Sequence, residues 1–77
     1  MSIEVQYLGL LAETAGKASE NIELSGSKSK VLDSVLERHP GLEKLNFVVS
    51  LNGTISHQEE EVQDGDRITL IPPAPGG

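Results

Sequence analysis

The sequence predicts one small α+β domain, a mixed β-sheet crossed on one face by a single main helix. Three observations predict it. Apolar and polar residues alternate at period two in several short stretches, whereas one stretch, 28–39, changes to a helical period. Asn52-Gly53 and Asp64-Gly65-Asp66 punctuate the chain where tight turns are needed. The resulting order is strand, strand, helix, strand, short strand, strand, which packs most simply with the helix laid across a mixed sheet.

Ile3-Glu4-Val5-Gln6-Tyr7-Leu8 alternates and reads as a half-buried strand, with Ile3, Val5 and Tyr7 on one face and Glu4, Gln6 and Leu8 on the other. Residues 9–17 read as a turn, with Gly16 at a positive φ. Asn21-Ile22-Glu23-Leu24 alternates again and should form a hairpin with the first strand. Ser25-Gly26-Ser27 breaks the pattern and supplies hydroxyls for a helix N-cap. Val31, Leu32, Val35 and Leu36 then recur on one helical face, with Asp33, Glu37 and Arg38 on the other, and His39-Pro40-Gly41 stops the helix. Phe47 to Leu51 is the third strand, Asn52-Gly53 its hairpin turn, and Thr54-Ile55 a short return. Glu59, Glu60 and Glu61 read as a solvated loop. Arg67 to Ile71 is the last strand. The helix stripe should meet Ile3, Val5, Tyr7, Val49, Leu51, Ile68 and Leu70 in the core.

The composition excludes several functions. The 77 residues carry twelve acids against six bases, a formal net charge of −6, and only Tyr7 and Phe47 as aromatics. A nucleic-acid partner needs a basic footprint and stacking platforms, and neither is present. The acidic surface favours a basic protein partner. Cysteine is absent, so there is no disulfide framework and no thiolate site, in keeping with a reducing cytoplasm. No apolar run reaches 18 residues and no basic leader precedes one, which argues against a membrane span or signal peptide.

Residues 1–71 form the domain, and Pro72-Pro73-Ala74-Pro75-Gly76-Gly77 forms a tail. Its three prolines fix φ and remove backbone donors, so it should leave the body as an extended arm. Six extended residues reach roughly 20 Å, beyond the roughly 11–12 Å radius of a body this size. Gly76 and Gly77 carry no Cβ, so a carboxylate on Gly77 would sit on the narrowest polypeptide available. Such an arm suits insertion into another protein's cleft. Taken alone, a terminal Gly-Gly is equally compatible with a frayed end.

The body and tail together resemble the ubiquitin-like sulfur carriers, which have the β-grasp fold. The likeness rests on Val49-Ser50-Leu51-Asn52-Gly53, then Asp64-Gly65-Asp66, an apolar strand, Pro72-Pro73 and Gly76-Gly77. It spans essentially the whole chain and is greatest to the small subunit of molybdopterin synthase, with Leu51 where valine is usual. The thiamin-thiazole carriers resemble it less well. The resemblance implies that an E1-like enzyme adenylates Gly77 with ATP and that a persulfide donor converts it to a thiocarboxylate. The synthase large subunit would then pass the sulfur to a pyranopterin precursor. It implies no cofactor bound by this chain and no catalytic side chain of its own. Delivery to thiazole, thiolated tRNA or cysteine, and attachment to lysines as a protein modifier, are the alternatives.

The candidate residues follow from these readings. Gly77 is the reactive residue, while Gly76, Pro75 and Pro73 form the inserted segment. Parity places Leu8 and Ile71 on the sheet face away from the helix, and the resemblance implies that their strands are parallel neighbours, which makes them a docking patch at the root of the tail. His39 belongs at the C-terminus of the helix, where the dipole favours its proton. His57 beside the acid run is solvated loop rather than a metal site, and Ser25, Ser27 and Ser29 are caps.

Overall fold

The computed structural model describes residues 2–73. A five-stranded sheet has the order β2-β1-β7-β4-β5, formed by β1 (Ile3–Tyr7), β2 (Ser19–Ile22), β4 (Val48–Leu51), β5 (Thr54–Ile55) and β7 (Arg67–Ile71). The first and last of these pair in parallel, Gln6 opposite Thr69 and Tyr7 opposite Leu70, as the resemblance implies. All other neighbours are antiparallel, including the β1–β2 hairpin. The fold is a mixed sheet crossed by one main helix, as the element order predicts, and it is the β-grasp that the family resemblance implies.

Helix α2 (Lys28–Arg38) crosses one face. Ser27 caps it, its hydroxyl accepting from the Lys30 N–H at 3.2 Å, and His39 is its C-cap residue. Val31 and Val35 are fully buried, Leu32 and Leu36 partly so. They close over Ile3, Val5, Tyr7, Ile68 and Leu70, with Val49 and Leu51 packed at the margin. At the β4–β5 corner Asn52 and Gly53 both have positive φ, 51° and 89°, as a two-residue hairpin with matching twist requires.

Several expectations are corrected. The stretch read as a turn, 9–17, contains helix α1 (Leu10–Ala15), which ends on left-handed Gly16 and buries Leu11. The second strand occupies 19–22 rather than 21–24, because its register with β1 sets Ile22 opposite Ile3. After α2 a 3-10 turn over Pro40–Lys44 buries Leu42. The acid run is only partly loop. Glu61 and Val62 form β6, which pairs with β3 (Gly26–Ser27) as a separate two-stranded sheet, and Val62 is buried. Glu59 reaches the start of α2, where its carboxylate accepts from the Ser29 N–H at 3.0 Å and from the Ser29 hydroxyl. Lys28, almost fully buried, donates to Ser56 O at 3.0 Å and faces Glu60 at 3.3 Å. These contacts tie the loop 56–60 to the helix N-terminus.

Candidate functional site

The sheet buries one face under α2 and leaves the other open. Alternation along β1, β4 and β7 sorts the side chains of that open face. Its middle is polar: the Thr69 hydroxyl donates to Gln6 Oε1 at 3.3 Å, beside the nearly buried Ser50. At the end remote from the tail, Arg67 Nε donates to Glu4 Oε1 at 2.8 Å. The Asn52 side chain accepts from the Arg67 N–H at 2.9 Å and donates to Asp66 Oδ1 at 3.1 Å. Asp66 also accepts from the Gln63 N–H at 2.8 Å. That backbone bond first, and Asn52 second, hold its carboxyl below the usual aspartate range. The Asn-Gly hairpin and the Asp-Gly-Asp turn are thus bonded to each other across the sheet's lower edge.

Toward the tail the face becomes apolar. Ile71 lies opposite half-buried Val48. The β1–β7 register carries Leu8 alongside Ile71, and the Leu8 N–H donates to Leu70 O at 3.2 Å. Leu8 is 38% exposed and Ile71 half-buried. Leu10, at the start of α1, is a second exposed leucine close in sequence, 56% exposed. Strand β7 ends at Ile71, after which Pro72 is half-buried and Pro73 exposed. The structure therefore brings Leu8, Ile71 and Pro73 to one end of the sheet. Pro75, Gly76 and Gly77 lie outside the described residues.

Elsewhere the titratable groups serve the fold. Glu20 is the centre of a nearly buried polar cluster. Its Oε2 accepts from the Tyr7 hydroxyl at 2.6 Å and lies 2.6 Å from His39 Nε2. Lys17 and Arg38 approach its other oxygen at 3.6 and 3.7 Å. Burial pushes the Glu20 carboxyl upward, but the Tyr7 and His39 hydrogen bonds outweigh it and leave the group below the usual glutamate range. Burial, and then the bond to Glu20, push the Tyr7 hydroxyl far up. His39 therefore sits at the end of α2 as expected, with a carboxylate partner that no local spacing reveals. His57 lies on the exposed loop, and no group of acids and histidines among the described residues is arranged to hold a metal. No helix among them is long and apolar enough to cross a membrane.

Two features escaped sequence reasoning. Leu10 was hidden inside a stretch read as a turn. Gly9 carried no signal beyond being a glycine after a strand, yet its Cα faces the ring of Pro72.

Known proteins share this fold. The chain is 29% identical to the molybdopterin synthase sulfur carrier subunit of Chlamydomonas reinhardtii over the full length of both. Its fold superimposes on SAMP1 of Haloferax volcanii with a TM-score of 0.86 at 27% identity, covering all of both chains. A chain in the protein–protein complex of subunits 1 and 2 of the molybdopterin-converting factor from Helicobacter pylori matches with a TM-score of 0.74 at 26% identity, again over both chains entirely. The ThiS family matches residues 5–77, from the first strand through the glycine pair. The chain thus belongs to the ThiS family.

Proposed function

We propose that this protein is a sulfur carrier for molybdenum cofactor synthesis, working in the cytoplasm with Gly77 as its reactive residue. One observation carries the reading: the family match runs through Gly76 and Gly77, and the strand leading to them leaves the body beside the exposed apolar margin of Leu8 and Ile71. Docking and delivery would then share one end of the molecule.

A carboxylate at neutral pH repels an incoming sulfur nucleophile, so it has to be activated. An E1-like enzyme would bind ATP, and a Gly77 carboxylate oxygen would attack the α-phosphorus with loss of pyrophosphate. The terminal sulfur of a persulfide donor would then displace AMP from the acyl carbon, and a thiol would cleave the resulting acyl disulfide to free the thiocarboxylate. The large synthase subunit would hold the pyranopterin precursor that receives the sulfur. Pro73, Pro75 and Gly76 would form the inserted segment, and Leu8 and Ile71 the docking patch. The carrier itself needs no cofactor. The Chlamydomonas and Helicobacter relatives support this pathway and this partner.

Intact mass tests it. Incubation with the host's activating enzyme, ATP and a persulfide source should add about 16 Da, one oxygen replaced by sulfur at the activated acyl group. Deleting Gly77 should abolish the gain and leave the unfolding midpoint unchanged. A chain lacking Gly77 that still supports cofactor synthesis would refute the reading.

The likeness to SAMP1, a small archaeal modifier protein, favours a second reading, attachment of Gly77 to lysines of other proteins. Both readings share the adenylation step. Higher-mass conjugates in host extracts would select the modifier, and a thiocarboxylate without conjugates the carrier.

A further inference from the structure

Gly9 joins β1 to α1 with φ 55° and ψ −132°, angles open to glycine and closed to L-residues with a side chain. They are those of the first corner residue of a type II′ turn, which closes through the Leu11 N–H donating to Leu8 O at 3.1 Å. The Leu8 N–H, bonded to Leu70 O, fixes this turn against the end of β7. The open side of Gly9 faces Pro72, two residues beyond Leu70. A Cβ built on Gly9 would stand 3.1 Å from Pro72 Cγ, closer than carbon atoms settle without one of them moving. The backbone angles thus favour glycine here, and any side chain would also push the Pro72 ring outward by a few tenths of an ångström.

We propose that Gly9 is a positioning residue: it seats the Pro72 ring and thereby sets the direction in which the tail leaves the sheet. The inference rests on the sulfur-carrier reading for its purpose, the aiming of Gly77 at a partner's reactive centre. The seated Pro72 and the Pro73 that follows it both have locked φ, so a tilt there is passed on rather than absorbed. A ring displaced by about 0.4 Å on a lever of about 4 Å tilts the chain by roughly 6°. Five further residues, extended in a partner's cleft, span about 15 Å, and the carboxylate would miss by roughly 1.5 Å. Errors of that size reduce rates by up to about 100-fold. Leu8 and Ile71 would hold the body to the partner, and the seat would govern where the tail points. Affinity and turnover should accordingly separate.

The test compares wild type, Gly9→Ala, Pro72→Ala and the double variant in ATP–pyrophosphate exchange with the activating enzyme purified from the same host. Pro72→Ala removes the seated ring without straining the turn and should lower kcat about 10-fold or more, with KM within about threefold, at an unchanged unfolding midpoint. Gly9→Ala should do the same and also lower the midpoint. The double variant should be no worse in kcat than the worse single one, since both break one contact. Pro72→Ala turning over at the wild-type rate, or a loss confined to KM, overturns the proposal. Wild type that fails to exchange pyrophosphate refutes the carrier reading instead, and NMR then decides the seat alone. A cross-peak between the Gly9 Hα and Pro72 ring protons, with a Pro73 Cα–Hα dipolar coupling altered by Gly9→Ala, supports it; absence of the cross-peak overturns it.

Discussion

Glu20→Ala gives the most demanding stability test, because one carboxylate oxygen serves two partners. Tyr7 Oη and His39 Nε2 both lie 2.6 Å from Glu20 Oε2. Tyr7 is 1% exposed, and the side chains of His39 and Glu20 are 14% and 11% exposed, so water cannot readily replace the lost acceptor. Each orphaned buried group costs about 1–3 kcal/mol, and the slight exposure of His39 places the sum near 2–4 kcal/mol. In a domain of this size each kcal/mol moves the midpoint by about 4–8 °C, so Glu20→Ala should unfold roughly 8–32 °C lower. Thermal unfolding followed by circular dichroism at pH 7 measures this. A double-mutant cycle makes it sharper: Tyr7→Phe should cost about 1 kcal/mol in wild type but recover stability beside Glu20→Ala, where it removes a hydroxyl that is already orphaned. Full additivity, or a Glu20→Ala loss below about 1 kcal/mol, would refute the cluster's role. The pH dependence has a definite sign. The Glu20 carboxyl is held below its ordinary 4.5 in the folded protein, so the unfolded chain binds the proton more readily. Its contribution is complete above about pH 4.5 and is lost as pH falls through the lower folded value. The gap in stability between wild type and Glu20→Gln should therefore hold steady above that point and narrow below it.

Other expectations are more direct. Leu8→Glu should weaken binding to the activating enzyme or the large subunit by about tenfold or more while changing stability by under about 0.5 kcal/mol, because the side chain is a surface one; loss of folding would show that Leu8 is core. Leu11→Ala should cost about 2–4 kcal/mol in urea unfolding, since Leu11 is 1% exposed and fixes α1 to the core. Ser27→Ala should cost about 1 kcal/mol by removing the cap bond to the Lys30 N–H.

The parts of this fold that the sequence displays are those whose signal is local. Ile3, Val5 and Tyr7 announce β1 by alternation, Val31 and Val35 announce α2 by spacing, and Asn52-Gly53 announces its hairpin by backbone angles few other residues tolerate. Helix α1 has no such signal. Six residues between two glycines bury a single leucine, too few turns for a period, and an isolated helix of that length does not hold in water. It exists because the core accepts Leu11 and because the 3-10 turn lies against it; a Cβ on Gly41 would stand 3.0 Å from Thr14 Cγ2. The β3–β6 pair is hidden for a related reason. Glu59-Glu60-Glu61 looks solvated by composition, whereas Val62 and the backbone of Glu61 are placed by residues some 35 positions earlier.

The same distinction governs the site. Leu8 and Ile71 could be placed by parity because both lie in or just beyond strands that pair in register. Gly9 could not, since its requirement is set by Pro72, more than sixty residues away. The titratable cluster of Tyr7, Glu20 and His39 ties β1, β2 and the end of α2 together. Rigidity at that end of the sheet matters, because β1 also carries the turn on which Pro72 rests. If the cluster stiffens the platform from which the tail departs, Glu20→Gln should slow pyrophosphate exchange even at temperatures where it is fully folded. An unchanged rate would confine the cluster to stability and leave the Gly9 seat as the feature that sets the tail's direction.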